Sequence, residues 1–94
     1  THIAALQLGR HDINVNAICP GMTRTAMSLT TLAQRAESMG VPPAELEAQR
    51  ATRVPIGRTN EPEDIAAMAV FLAGPGSRNI TGQAFNVDGG LVMH

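Results

Sequence analysis

The chain has 94 residues, 44% of them hydrophobic, with no Trp, no Tyr and a formal net charge of -1, which describes a folded globular piece rather than a disordered one. The slightly acidic balance, with Phe71 and Phe85 as the only aromatic residues, argues against a nucleic-acid partner, because a phosphate backbone asks for a basic surplus and stacking rings. No apolar run is long enough to cross a bilayer, so no membrane partner is expected, and the single Cys19 rules out an internal disulfide and fits a reducing, cytoplasmic compartment.

The chain opens in a helix. "THIAALQL" is rich in helix formers, with Ile3, Ala4 and Leu6 as its apolar set, and Gly9 stands where a left-handed cap would end it. "INVNAIC", from Ile13 to Cys19, predicts a strand: Ile13, Val15, Ala17 and Cys19 share one parity, and Ile18 adds to the other face. Pro20 cannot donate to a ladder and closes the strand, while Gly21 lets the backbone turn or lets another molecule approach closely. Two weakly amphipathic helices are predicted over 28–39 and 43–53, separated by Gly40-Val41-Pro42-Pro43. Asn60 with Glu63 then reads as a capping box, with Pro62 in the first turn, for a helix running to Ala73. Ile65, Met68, Ala69 and Leu72 line one of its faces, and Val70 and Phe71 make the remainder apolar, which predicts burial on more than one side. "GPG" at Gly74–Gly76 ends that helix, and "QAFNV" predicts a second strand before an Asp88-Gly89-Gly90 turn.

Alternation of helix and strand implies an α/β fold with a parallel sheet. Two strands leave open edges and too little core to offset chain entropy, so the whole of 1–94 reads as the C-terminal part of one larger domain whose upstream part is missing. Ligands of open α/β sheets bind beyond the carboxyl ends of the strands. Pro20-Gly21 marks such an end, which turns the Thr23 and Thr25 hydroxyls toward a ligand. The excursion over 26–58 is too long for a plain connector and reads as a lid over that site.

Other features carry less. "GPGSRN" lacks the third glycine of a dinucleotide fingerprint and follows a helix instead of opening one. Ser77 lacks the glycines of a nucleophile elbow and reads as a surface turn residue. His2, His11 and His94 lack metal-ligand spacing, so no metal is expected. Cys19 reads as a small core residue. Met22 and Met27 suit either a substrate pocket or adaptable packing under the lid, Arg24 reads as a solvated charge before a phosphate contact, and Asp88 shapes its turn.

Taken together, "INVNAICPGMTRT", "PIGRTNEPEDIAAMAVFLAG" and "ITGQAFNVDGG" resemble the C-terminal part of a single-domain short-chain dehydrogenase/reductase. The resemblance implies a Rossmann-type doubly wound parallel sheet with helices on both faces, and an NAD or NADP cofactor. It carries Pro20, Gly21, Thr23 and Thr25 over as cofactor-binding residues of a Pro-Gly-x-x-x-Thr segment beside the nicotinamide, with the Thr23 backbone on the carboxamide and the Thr25 hydroxyl near the carboxamide or pyrophosphate. A carboxamide needs a donor and an acceptor at fixed positions, and a loop backbone supplies both. The implied reaction is hydride transfer between the cofactor and a small alcohol or carbonyl substrate, with a Tyr acid/base assisted by Lys and a substrate-orienting Ser. This chain holds no Tyr, and its seven Lys and Arg residues are all Arg. No catalytic residue is therefore assigned here. The chain alone is expected to be inactive, with a Tyr-x-x-x-Lys pair upstream on the helix that "THIAALQL" continues. Relatives pair through the helix near 61–73 and the final strand, which implies a homo-oligomer, a tetramer by expectation. The alternative is a non-catalytic cofactor-binding or assembly protein of the same family.

Overall fold

A computed structural model describes residues 1–93. Its principal elements are helix α1 (His2–Leu8), strand β1 (Ala17–Pro20), helices α2 (Ala26–Met39), α3 (Pro43–Ala51) and α4 (Pro62–Ala73), and strand β2 (Ala84–Val87). β1 and β2 pair in parallel, from Ala17 opposite Ala84 to Pro20 opposite Val87. The alternation of helix and strand thus yields the parallel ladder it predicts.

The first helix ends differently from expectation. Gly9 keeps right-handed helical geometry at φ -57°, and the backbone tightens into a 3₁₀ turn over Gly9–His11. The left-handed position falls to Asp12 at φ 57°, a conformation that Asp tolerates better than most residues. Strand β1 is also shorter than its apolar parity suggests, because two asparagines divert the preceding residues. Asn14 Nδ2 donates to the Ser77 and Arg78 carbonyls, each at 3.1 Å, and Asn16 Nδ2 donates to the Ile80 carbonyl at 2.9 Å. The Val15 N–H reaches the Thr81 hydroxyl at 3.0 Å and its carbonyl accepts the Gly82 N–H at 2.8 Å, so residues 14–16 bind the loop before β2 through two amide side chains and the Val15 backbone, and the strand pairing starts only at Ala17.

Helix α2 closes on Gly40 at φ 70°, whose N–H bonds back to the Ala36 and Glu37 carbonyls, and Pro42-Pro43 launches α3 at once. Leu32 and Ala36 of α2 bury against Leu46 of α3, with Val41 packed beside them. Burying each leucine stabilises the hairpin by about 1.5–3 kcal/mol relative to exposure. Among the described residues, α2 and α3 pack on each other and on no other helix or strand. The hairpin therefore projects, and the molecule measures 56 × 23 × 22 Å. Its radius of gyration is 17.0 Å, where a compact chain of this length has about 12 Å.

Helix α4 lies on β1 and β2 with Ile65, Met68 and Leu72 half-buried toward the pair. Its other side is open: Val70 is 72% and Phe71 49% exposed. The expected burial on more than one side is absent among the described residues, which provide nothing to cover that face. Cys19 is exposed for the same reason, not a core residue. The cap is also displaced by one residue. Glu61, next to Pro62, is the N-cap, and its N–H donates to Asp64 at 2.8 Å, because Asn60 is engaged elsewhere. Ser77, expected on the surface, is 1% exposed. Its hydroxyl lies 2.8 Å from the Leu72 carbonyl and 3.1 Å from that of Gly74, binding carbonyls that the end of α4 leaves without helical partners.

Candidate functional site

Just past the carboxyl end of β1 the chain turns, and the turn is packed before any ligand is considered. The Gly21 N–H donates to the Val87 carbonyl at 3.0 Å. A Cβ on Gly21 would stand 2.6 Å from Asp88 Cβ and 2.9 Å from Asp88 Cα, so glycine is required by the close approach of β2's end. Asp88 is held in turn: its carboxylate accepts the Gly90 N–H at 2.9 Å and the Val92 N–H at 3.1 Å, which is the turn-shaping task its sequence suggests. The next glycine docks the end of the excursion between the strands. The Ile56 N–H donates to the Gly89 carbonyl at 3.2 Å.

Asn60 organises the loop beyond. The Asn60 N–H donates to the Met22 carbonyl at 2.7 Å, and the Arg24 N–H donates to the Asn60 carbonyl at 2.8 Å, a parallel bridge with Thr23 opposite Asn60. In such a bridge the central residue's own N–H and C=O point to the far edge. Thr23 therefore presents a donor and an acceptor away from Asn60, and among the described residues its N–H meets no acceptor. Its carbonyl accepts the Ser28 hydroxyl at 2.8 Å, which leaves a second lone pair. The Thr23 hydroxyl folds back onto the Gly21 carbonyl at 3.0 Å.

Thr25 begins α2. Its hydroxyl accepts the Ser28 N–H at 3.1 Å, and Ser28 Oγ accepts the Thr25 N–H at 2.8 Å, a reciprocal capping box. The hydroxyl proton of Thr25 stays available to an outside acceptor, and the residue is exposed. Arg24 is not merely solvated: its Nε lies 3.0 Å from Glu47 of α3 and its Nη1 3.6 Å from Glu61 at the start of α4. One guanidinium thus links the loop, the projecting hairpin and the helix beneath. Between loop and hairpin lies a cleft of about 130 Å³ with Met22, Leu29, Leu32 and Arg50 on its walls. Met27, in contrast, is 80% exposed.

The four residues assigned from the sequence thus stand together but perform different local tasks. Pro20 ends the ladder, Gly21 admits Asp88, Thr23 offers an outward peptide group, and Thr25 caps a helix while keeping one proton. Sequence reasoning missed Ser28 and Asn60. The spacing Thr25-x-x-Ser28 is a capping signal that identifies the first, whereas nothing local to Asn60 announces a bridge to residues 22–24. The outward donor and acceptor of Thr23 match the C=O and NH₂ of a carboxamide, so the loop fits a nicotinamide. Among the described residues, His2 and His11 are exposed and no cluster of three potential metal ligands forms; His94 lies outside the described residues. No described helix is long and apolar enough to cross a membrane.

Comparison with known proteins bears on this arrangement. A family profile described as Enoyl-(Acyl carrier protein) reductase matches residues 1–92. Galactitol 2-dehydrogenase of Agrobacterium fabrum (strain C58) is 47% identical over 93 residues, covering 99% of this chain and 36% of the relative. The crystal structure of a short chain dehydrogenase family protein from Francisella tularensis subsp. tularensis SCHU S4 superposes with a TM-score of 0.92 at 31% identity, over 97% of this chain and 38% of that one. An actinorhodin polyketide ketoreductase solved with NADPH gives a TM-score of 0.84 at 40% identity, over 97% of this chain and 35% of its own. The chain spans roughly a third of the length of each.

Proposed function

The chain belongs to the short-chain dehydrogenase/reductase family, and from that membership we propose that it forms the C-terminal, nicotinamide-flanking part of an NAD(P)-dependent oxidoreductase acting on a small alcohol or ketone. Its parallel strand pair and α4 then belong to the C-terminal side of a Rossmann-type sheet. The observation that carries the reading is the Thr23 peptide group, a free donor and an acceptor at the carboxyl end of β1. Bound there, NAD or NADP would supply a hydride acceptor or donor to the substrate carbon. The residues of this chain bind and orient. Thr23 N–H and C=O would hold the carboxamide, and the Thr25 proton would reach the carboxamide or the pyrophosphate. Pro20 and Gly21 give the loop its turn.

The projecting α2–α3 hairpin, with the segment to Arg58, serves as the lid over the substrate. The freedom of α2 and α3 from the strands supports that role, with Arg24 on Glu47, Ser28 on Thr23 and Ile56 on Gly89 holding only its base, since a lid must close without being part of the sheet's core. Proton transfer lies outside this chain, because it holds neither Tyr nor Lys; a Tyr-x-x-x-Lys pair ahead of Thr1 would place both side chains on one helix face. The open side of α4, with Val70 and Phe71, is the proposed contact between copies in a homo-oligomer, a tetramer in our reading. The direct test is turnover of the full-length protein on a panel of small alcohols and ketones with NAD and NADP. Cofactor-dependent oxidation or reduction is expected. Cofactor binding with no turnover on any substrate, joined to an upstream sequence without the Tyr and Lys, would replace the enzyme reading with a non-catalytic binding protein.

A further inference from the structure

The conformation of Thr23 is not self-sustaining, and its support is unusual for a surface loop. A stretch such as Met22-Thr23-Arg24 rotates its peptide planes freely unless both neighbours are bound. Both are bound by one residue. Asn60 receives the Arg24 N–H and gives its own N–H to Met22, which turns the Thr23 peptide outward. Any residue's backbone can make those two bonds. The Asn60 side chain adds what a backbone cannot: its Nδ2 donates to the Val87 carbonyl at the end of β2, the same carbonyl that receives Gly21 N–H. Asn60 is 8% exposed, so its amide is shielded from competing water and its bonds are stronger for that. The loop after β1, the entry to α4 and the end of β2 are thereby pinned at one point.

We propose that Asn60 is the positioning residue that aims the Thr23 peptide group at the nicotinamide carboxamide. This rests on the cofactor reading above and assigns to Asn60 no contact with the cofactor itself. Without the Nδ2 bond, the segment around Asn60 can slide along β2, and the bridge that orients Thr23 slides with it. The nicotinamide end of the cofactor then loses affinity, whereas its adenosine end, bound elsewhere, does not.

The test is calorimetric titration of the full-length protein and of Asn60→Ala with two probes, the intact dinucleotide that the wild type prefers and ADP-ribose, or its 2′-phosphate counterpart, which lacks the nicotinamide ring. Asn60→Ala should bind the dinucleotide about two- to tenfold more weakly, the effect of one lost neutral hydrogen bond, and bind the ring-less probe as the wild type does. Equal weakening of both probes would show a merely structural residue and overturn the proposal, as would unchanged affinity for both. Should Asn60→Ala not fold, Asn60→Ser is read by the same ratio of affinities, with a smaller shift in the same direction expected and an unchanged ratio overturning the proposal. A wild type that binds ADP-ribose as tightly as the dinucleotide would instead remove the Thr23 reading on which this one stands.

Discussion

Gly21→Ala tests whether the strand end is packed as described, and Gly9→Ala supplies the opposite case. At Gly21 the added methyl meets Asp88 Cβ at 2.6 Å and Asp88 Cα at 2.9 Å. Neither atom is the end of a flexible side chain, and Asp88 cannot retreat without releasing Gly90 and Val92. Overpacking of this kind costs about 1–3 kcal/mol, which for a domain of roughly 150–250 residues lowers the melting temperature by about 2–4 °C per kcal/mol. At Gly9 the same methyl meets nothing within 4 Å and the backbone is already helical at φ -57°. There the substitution restricts the unfolded chain and should stabilise by about 0.4–1 kcal/mol. Thermal melts of both variants in the full-length protein, without cofactor, give the comparison. A Gly21→Ala protein that melts with the wild type would refute the close approach of Asp88.

Thr25→Val should lower thermal stability by about 0.5–2 kcal/mol through the lost cap, and cofactor affinity by about two- to tenfold through the lost proton; Thr25→Ser should restore the first, and unchanged affinity in the valine variant would take Thr25 out of the site. The 94-residue chain by itself should show no cooperative thermal transition, because its strand pair and α4 leave apolar faces open; a sharp transition in a dilute monomeric sample would contradict this. Phe71→Glu in the full-length protein should reduce its mass in sedimentation without lowering its helix content, since Phe71 is 49% exposed; an undiminished mass would move the interface elsewhere.

Much of the fold was legible because it depends on local chemistry. Gly40 followed by two prolines, the Pro-Gly break after the first strand, and Gly74-Pro75-Gly76 each mark a boundary that the structure keeps. What escaped the sequence depends on partners distant in the chain. The parity of Ile13 and Val15 predicts a longer strand, but Asn14 and Asn16 find carbonyls more than sixty residues away and delay the start of the ladder to Ala17. Asn60 has the composition of a helix cap, yet Val87 claims its amide. Ser77 looks like a turn serine until the end of α4 is seen above it. At the site, the residue types around Pro20–Thr25 point to a loop at a strand end, whereas the division of labour among them emerges only from the bridge to Asn60 and the approach of Asp88.

The central claim is that the Thr23 peptide group receives a nicotinamide carboxamide, and its own amide reports on this most directly. In isotopically labelled full-length protein, the Thr23 amide resonance should shift downfield on saturation with the preferred dinucleotide, as a free N–H gains an acceptor, and should stay near its starting position with ADP-ribose or its 2′-phosphate counterpart. An amide that moves equally with both ligands, or with neither while other resonances confirm binding, would contradict the account.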